Sequence, residues 1–320
     1  MTHTKKLAVI AVGGNSLIKD DKNVTVEDQE QALRETAHHI ADMIEAGWDL
    51  AIGHGNGPQV GFILRRSEIA AKVEGMHEVP LDVCGADSQG AIGYEFQQAL
   101  QNEYQRRGIQ KGAATIITQT LVDQKDPAFQ KPSKPIGSFM DEPEAKRREK
   151  DMGWSVVEDA GRGWRRVVPS PMPKKILELD SVKTLLHAGV TVITVGGGGI
   201  PVIDKGDCQY EGTAAVIDKD FASSLLAQEI GAELFLIATA VEKVAINFGK
   251  PDQKWLDKMT LAEAKQYLAE GTHFAKGSMA PKIQAIVWFL ENGGQTALIT
   301  NPENIGRALK GETGTWIVKE

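Results

Sequence analysis

Residues 190–203 read VTVITVGGGGIPVI. A β-branched run empties into four consecutive glycines, then into Ile200, Pro201 and a second short apolar run. An uninterrupted apolar run of this kind is the pattern of a strand buried on both faces, and such strands belong to parallel sheets covered by helices. Gly196, Gly197, Gly198 and Gly199 carry no side chains, so whatever they do is done by bare backbone. Similar runs recur outward from this one, at 7–12 (LAVIAV), 48–53 (WDLAIG), 114–122 (ATIITQTLV), 234–241 (LFLIATAV) and 295–300 (QTALIT). Between them lie helix-like segments at 25–46, 86–107, 174–188, 213–230, 260–270 and 279–292. Glycines follow these segments at 47, 108, 189, 231, 271 and 293, where a helix ends before a strand begins. The alternation predicts an α/β protein, a three-layer αβα sandwich with a mainly parallel sheet and helices on both faces.

One region breaks the alternation. Seven of the thirteen prolines lie between Pro127 and Pro173, together with the charge run EAKRREK at 144–150. Proline at this density fits neither a central strand nor a helix interior. Trp154, Trp164, Phe129, Phe139 and the paired valines at 156–157 and 167–168 are too apolar for a disordered linker. The segment of about 123–170 is therefore expected to leave the sheet as a small protruding subdomain with short strands of its own.

Bulk composition excludes several classes. Of the 320 residues, 42% are hydrophobic and 25% charged, as in ordinary globular chains. The formal net charge of −7 argues against a general nucleic-acid or anionic-membrane binder. The two cysteines, Cys84 and Cys208, build neither a disulfide framework nor a zinc site. The short apolar run near the N-terminus lacks a cleavage site and reads as a strand, and no stretch reaches the length of a membrane span. These features predict a cytoplasmic protein.

Three glycine-rich loops each follow a strand: VGGNS (12–16), GHGNGPQVG (53–61) and VGGGGIP (195–201). In a parallel sheet such loops gather on one edge, where backbone N–H groups can converge on an anion. Any one glycine pair alone is equally well a tight turn; three together favour a phosphate site. The common nucleotide motifs are missing. No G-x-x-x-x-G-K-[ST] occurs, no G-x-G-x-x-G opens a helix, and the protein-kinase motif set is absent. His54 sits inside a glycine loop but has no serine or cysteine nucleophile beside it, so it is read as loop packing in preference to a general base. Phosphate also needs cations. Lys134 stands between prolines, Lys219 lies beside Asp220 near a helix start, and Lys282 lies just inside a helix announced by Ser278 and Pro281.

With these residues assembled, the chain resembles the carbamate kinases of the amino acid kinase family. The resemblance is carried by AVGGNSLI (11–18), HGNGPQVG (54–61), VPLDVCGADSQGAIGYEFQQAL (79–100), VDQKDPAFQKPSKPIGSF (122–139), GRGWRRVVPSPMP (161–173), VGGGGIPVI (195–203), AAVIDKDFASSLLA (214–227), INFGKPDQKWL (246–256) and GSMAPKIQAIVWFL (277–290). It spans almost the whole chain in order. The departures are Asp87, Ser133, Ser138 and Ala240, where the family often has Met, Thr, Pro and Asp.

The resemblance implies reversible phosphoryl transfer between carbamoyl phosphate and MgADP, giving ATP and carbamate. It implies two lobes, 1–205 for the phosphoryl and carbamate side and 206–320 for the nucleotide, with Lys134 carried over the site by a mobile lid. Lys219 and Lys282 would bridge the transferring group and the nucleotide phosphates, and Asp220 would orient the lysines. Gly13, Gly14, Asn15, Gly55, Asn56, Gly57, Gly196, Gly197 and Gly198 would hold phosphoryl group and small substrate. Thr239, Ala240, Val241, Gly277, Ser278 and Met279 would join Lys219 and Lys282 around the nucleotide. Mg2+ would be held mainly by the nucleotide phosphates and not by a protein metal site. A homodimer working in arginine breakdown is implied as well. Two other outcomes stay open: a relative with acetylglutamate, aspartate or UMP as acceptor, and a silent nucleotide-binding module.

Overall fold

The structure, a computed structural model, describes residues 6–13, 25–158 and 163–320, apart from the side chain of Ser138. The first third contains β1 (Lys6–Val12), α1 (Val26–Glu45), β2 (Trp48–His54), α2 (Gly57–Glu74), α3 (Leu81–Arg107), β3 (Ala113–Thr115) and β4 (Gln119–Val122). There follow β5 (Lys134–Met140), α4 (Glu142–Met152), β6 (Ser155–Glu158), β7 (Trp164–Val168), β8 (Pro173–Ile176), α5 (Leu179–His187) and β9 (Thr191–Ile193). Next come β10 (Ile200–Asp204), β11 (Tyr210–Gly212), α6 (Lys219–Ile230), β12 (Leu234–Ala238), β13 (Val244–Ile246) and β14 (Lys254–Leu256). The chain closes with β15 (Lys258–Thr260), α7 (Leu261–Glu270), α8 (Met279–Glu291), β16 (Thr296–Thr300), α9 (Ile305–Leu309) and β17 (Thr315–Val318).

The main sheet has the order β15-β17-β16-β12-β1-β2-β9-β3. The pairs from β16 to β3 are all parallel, and β17 runs antiparallel to β16. Alternation within the strands builds the layers. Val9, Ala11, Phe235 and Ile237 face one core with α5, α6 and α8, whereas Ala8, Ile10, Val12, Leu234 and Leu236 face the other with α1, α3 and α9. Both faces are thus covered, which is why these strands read as unbroken apolar runs. The expected α/β sandwich is the one observed.

Local chemistry explains the element ends. Thr25 and Asp28 form a reciprocal capping box at the start of α1, and Thr260 with Glu263 does the same for α7. Gly75, Gly108, Gly153, Gly231 and Gly271 end their helices in the left-handed conformation.

Several expectations need correction. The run 114–122 is not one strand: β3 joins the main sheet, while β4 belongs to a second sheet ordered β11-β10-β4-β8. The segment 174–188 is not one helix, because β8 occupies its start as an edge strand and α5 begins at Leu179. The helix expected from 213 begins only at Lys219, after an extended approach capped by Asp218. α2 was hidden by its own glycines and Pro58, although proline at a first turn favours a helix. The proline-rich excursion contains the antiparallel sheet β5-β7-β6, as expected of short strands, and the charge run within it is α4.

Candidate active site

Four adjacent strands deliver the site. In the order β12, β1, β2, β9 their carboxyl ends run into Thr239, Gly13, Gly55 and the 194–199 loop. The chain moves from β1 to β2 on one side and reaches β12 on the other, so β1 marks a topological switch point, where an α/β sheet opens a crevice. A cleft of about 520 Å³ lies there.

Most of the residues singled out from the sequence meet in it. Gly13, Gly55, Asn56, Gly57, Lys134, Gly197, Lys219, Asp220, Thr239, Ala240, Val241, Gly277, Ser278, Met279 and Lys282 all line the cleft. Gly196 and Gly198 are buried and do not line it. Gly14 and Asn15 lie outside the described residues. Pro58, Val216, Ile217 and Asp218 line the cleft without having been singled out, and so does Pro281, which the sequence marked only as a helix start.

At its centre is a buried carboxylate held by two lysines. Asp220 is 5% exposed as a side chain; Lys282 Nζ donates to its Oδ2 at 2.8 Å and Lys219 Nζ donates to its Oδ1. Burial by itself would raise the Asp220 pKa, but the two ammonium groups overcome it and hold the group at about 2. Burial lowers the Lys219 pKa against the attraction of Asp220. Two cations on one anion leave the centre net positive and aimed at a further anion.

Asp218 performs two tasks. It caps α6, accepting from the Asp220 N–H at 2.9 Å, and its other oxygen accepts from Lys134 Nζ at 2.9 Å. That pair joins β5 of the excursion to the cleft across 84 positions of sequence. The VIDKD motif shows two acids flanking Lys219, and that symmetry was the available signal for Asp218.

The other donors are backbone. Helices α2 and α8 both begin at the cleft, and neither has a side-chain cap. Asn56, the residue before α2, turns its amide instead to Ser88 Oγ at 2.7 Å. In their first turns Pro58 and Pro281 carry no N–H and Ala280 donates to the Ala275 carbonyl at 3.0 Å, so the N–H groups of Gly57, Gln59 and Met279 are the ones left, among the described residues, to bind an anion, aided by the helix dipoles. The N–H groups of Gly13 and Gly55 are not so used; they complete the ladder to Ala238 and Val12.

The four glycines have a different reason from the one their run suggests. A Cβ on Gly196 would lie 2.4 Å from His54 Nε2, on Gly197 2.0 Å from Asn56 Nδ2, on Gly198 2.5 Å from the Ile217 carbonyl and on Gly199 2.0 Å from Thr120 Oγ1. What approaches the bare backbone is the protein itself. Gly197 alone of the four also meets the cleft.

His54 is buried outside the cleft lining, with Nδ1–H donating to the Gly55 carbonyl at 3.0 Å. Burial is the main cause lowering its pKa to about 4, so it is neutral at pH 7. The unfolded chain therefore takes up a proton near pH 6.5 that the folded protein refuses until about pH 4. Stability is expected to fall as pH drops through this window, by up to about 3 kcal/mol. His54→Gln should flatten that part of a plot of unfolding free energy against pH. An unchanged slope would contradict a buried neutral imidazole.

A parallel α/β sheet with a lysine-bearing anion cleft at its carboxyl edge defines a phosphotransferase-type protein. The chain belongs to the amino acid kinase family, whose sequence profile matches residues 6–301. It is 50% identical to the carbamate kinase of Thermococcus kodakarensis over 316 residues, covering 98% of this chain and 100% of that one. It is also 50% identical to the carbamate kinase-like protein YahI of Escherichia coli over 318 residues, covering 98% and 99%. Among solved structures, the carbamate kinase of Giardia lamblia bound to AMP-PNP is similar with a TM-score of 0.92 and 41% identity, over 99% of each chain.

Proposed function

We propose that this protein is a carbamate kinase, transferring a phosphoryl group reversibly between carbamoyl phosphate and MgADP to form ATP and carbamate. The observation that carries the reading is the Asp220-centred pair Lys219 and Lys282, set among uncapped helix N-termini. A terminal phosphate oxygen of ADP attacks the phosphorus of carbamoyl phosphate. The bond to the carbamate oxygen breaks, and carbamate leaves as an anion that decays to ammonia and CO2. No proton has to be removed, and among the described residues no histidine lines the cleft. Charge neutralisation and alignment are what such a step needs.

Lys219 and Lys282 touch the moving phosphoryl group and nucleotide phosphates, and Asp220 fixes their positions. Lys134 closes over the site from its subdomain, residues 123–170. The lobe 1–205 holds carbamoyl phosphate through Gly14, Asn15, Asn56, Gly57 and, of the glycine run, Gly197; the lobe 206–320 holds the nucleotide. Mg2+ would arrive on the nucleotide phosphates and neutralise their charge; Asp218 and Asp220 are already engaged by lysines. The reading extends to a cytoplasmic homodimer of arginine breakdown.

A small acceptor is favoured because Lys134, Lys219 and Lys282 are the cations that line the cleft among the described residues, and no arginine is there to fork a second carboxylate. The equal similarity to a carbamate kinase-like protein keeps a second reading in play: a family member acting on acetylglutamate, aspartate or UMP, or a silent binder. ATP formation from carbamoyl phosphate and MgADP by the purified protein separates them. Robust ATP production is expected. Phosphorylation of another acceptor without it, or nucleotide binding without any turnover, overturns the reading.

A further inference from the structure

A second cavity, of about 780 Å³, lies outside the cleft, between α2 and the subdomain of β5, β7 and α4. One wall is the outer run of α2, with Arg65, Glu68 and Lys72; the other includes Gly137 and Met140 of β5 and Arg166 of β7. Trp154 is buried at its floor, with the guanidinium groups of Arg148 and Arg166 lying 4.6 and 4.5 Å from its ring centroid.

The two arginines differ in what balances their charge. Arg148 is neutralised by Glu68 at 2.9 Å and Glu144 at 2.7 Å. Arg166 is half-buried, and its guanidinium has no hydrogen bond or ion pair among the described residues. Burial is the main cause that lowers its pKa, with Glu68 and Glu78 acting against it from a distance. A guanidinium withdrawn from water without a partner is costly unless an anion meets it. Arg65 reaches Glu68 only at 3.5 Å, and Lys72 makes no ion pair among the described residues. Thus cations with long or no side-chain partners line both walls, on elements that belong to different parts of the fold, and outnumber the acids of the same lining, Glu68, Asp141 and Glu144, of which Glu68 and Glu144 are engaged by Arg148.

We propose that this cavity binds a small organic polyanion, a molecule bearing at least two carboxylate or phosphate groups, bridging Arg65 and Lys72 of α2 to Arg166 of the subdomain. The guanidinium fork suits either oxyanion in bidentate fashion. Leu64, Ile136 and Trp154 supply apolar contact for a short carbon body. The ligand would tie together α2 and β5, whose first residues, Gly57 and Lys134, reach the phosphate cleft. Its binding test does not depend on which acceptor the cleft serves.

Citrate and pyrophosphate, titrated separately by calorimetry at low salt into the Lys282→Ala protein, test the site with the cleft's own anion affinity weakened. At least one probe should bind, and adding Arg166→Met should weaken it about tenfold or more. Arg65→Ala with Lys72→Ala, both on the exposed face of α2, should do the same without risk to folding. The preferred probe shows whether carboxylate or phosphate is recognised. No binding of either probe up to about 10 mM, or binding indifferent to both sets of cavity substitutions, overturns the proposal. Failure of carbamoyl phosphate turnover in the unaltered protein bears only on the cleft.

Discussion

Lys282→Ala lowers ATP formation from carbamoyl phosphate and MgADP by about a hundredfold or more, while the protein stays folded. Removing a single preorganised donor from a site of developing charge typically has an effect of that size. Here the donor is a charged group 14% exposed, 2.8 Å from a buried carboxylate, where water screens little. Folding survives because Asp220 keeps Lys219 as its partner. The loss should appear in kcat as well as in ADP affinity, since the role proposed for the lysine is to serve the moving group. Lys282→Arg should not restore the rate, because a planar fork cannot replace a compact ammonium at this spacing. Turnover within about fivefold of the unaltered enzyme would show that Lys282 supports Asp220 only.

Gly198→Val, in contrast, destabilises the whole protein. The glycine sits at φ +93°, a conformation a β-branched residue resists, and the new Cβ would lie 2.5 Å from the Ile217 carbonyl oxygen. That oxygen is backbone and cannot swing aside. Backbone strain and overpacking together are expected to cost about 3–5 kcal/mol, read as a fall in the denaturant midpoint. An unaltered midpoint would mean that the loop is looser than the packing around it implies. Gly196→Val strikes His54 and should behave alike, so its effect on catalysis reports folding before chemistry.

Strands and most helices were legible because their signals are local. Unbroken apolar runs mark β1, β2, β9, β12 and β16, and glycines or capping residues mark many of the helix ends. The readings that failed depend on partners far away. Whether 113–122 makes one strand or two is decided by β9 and β10, which pair with its separate halves. Whether 173–176 is strand or helix is decided by β4. In α2, Gly57 and Gly61 concealed a helix, and Gly61 is explained by β5, whose Gly137 Cα would be 3.4 Å from a Cβ there.

The sequence by itself determined the αβα class, the positions where glycine interrupts strands, the local contexts that singled out Lys134, Lys219 and Lys282, and the family resemblance that gave them and Asp220 their expected roles. Periodicity, turn chemistry and motif order are all written in contiguous residues. Only the tertiary structure decided that Lys219 and Lys282, 63 positions apart by their numbers, share one buried carboxylate, and that Asp218 holds Lys134. It also decided that VGGGGIP is mostly glycine because His54, Asn56, Thr120 and the Ile217 backbone press against it. The reason is that burial and close approach are properties of chain crossings, and a parallel sheet brings together loops that its connections keep far apart in sequence.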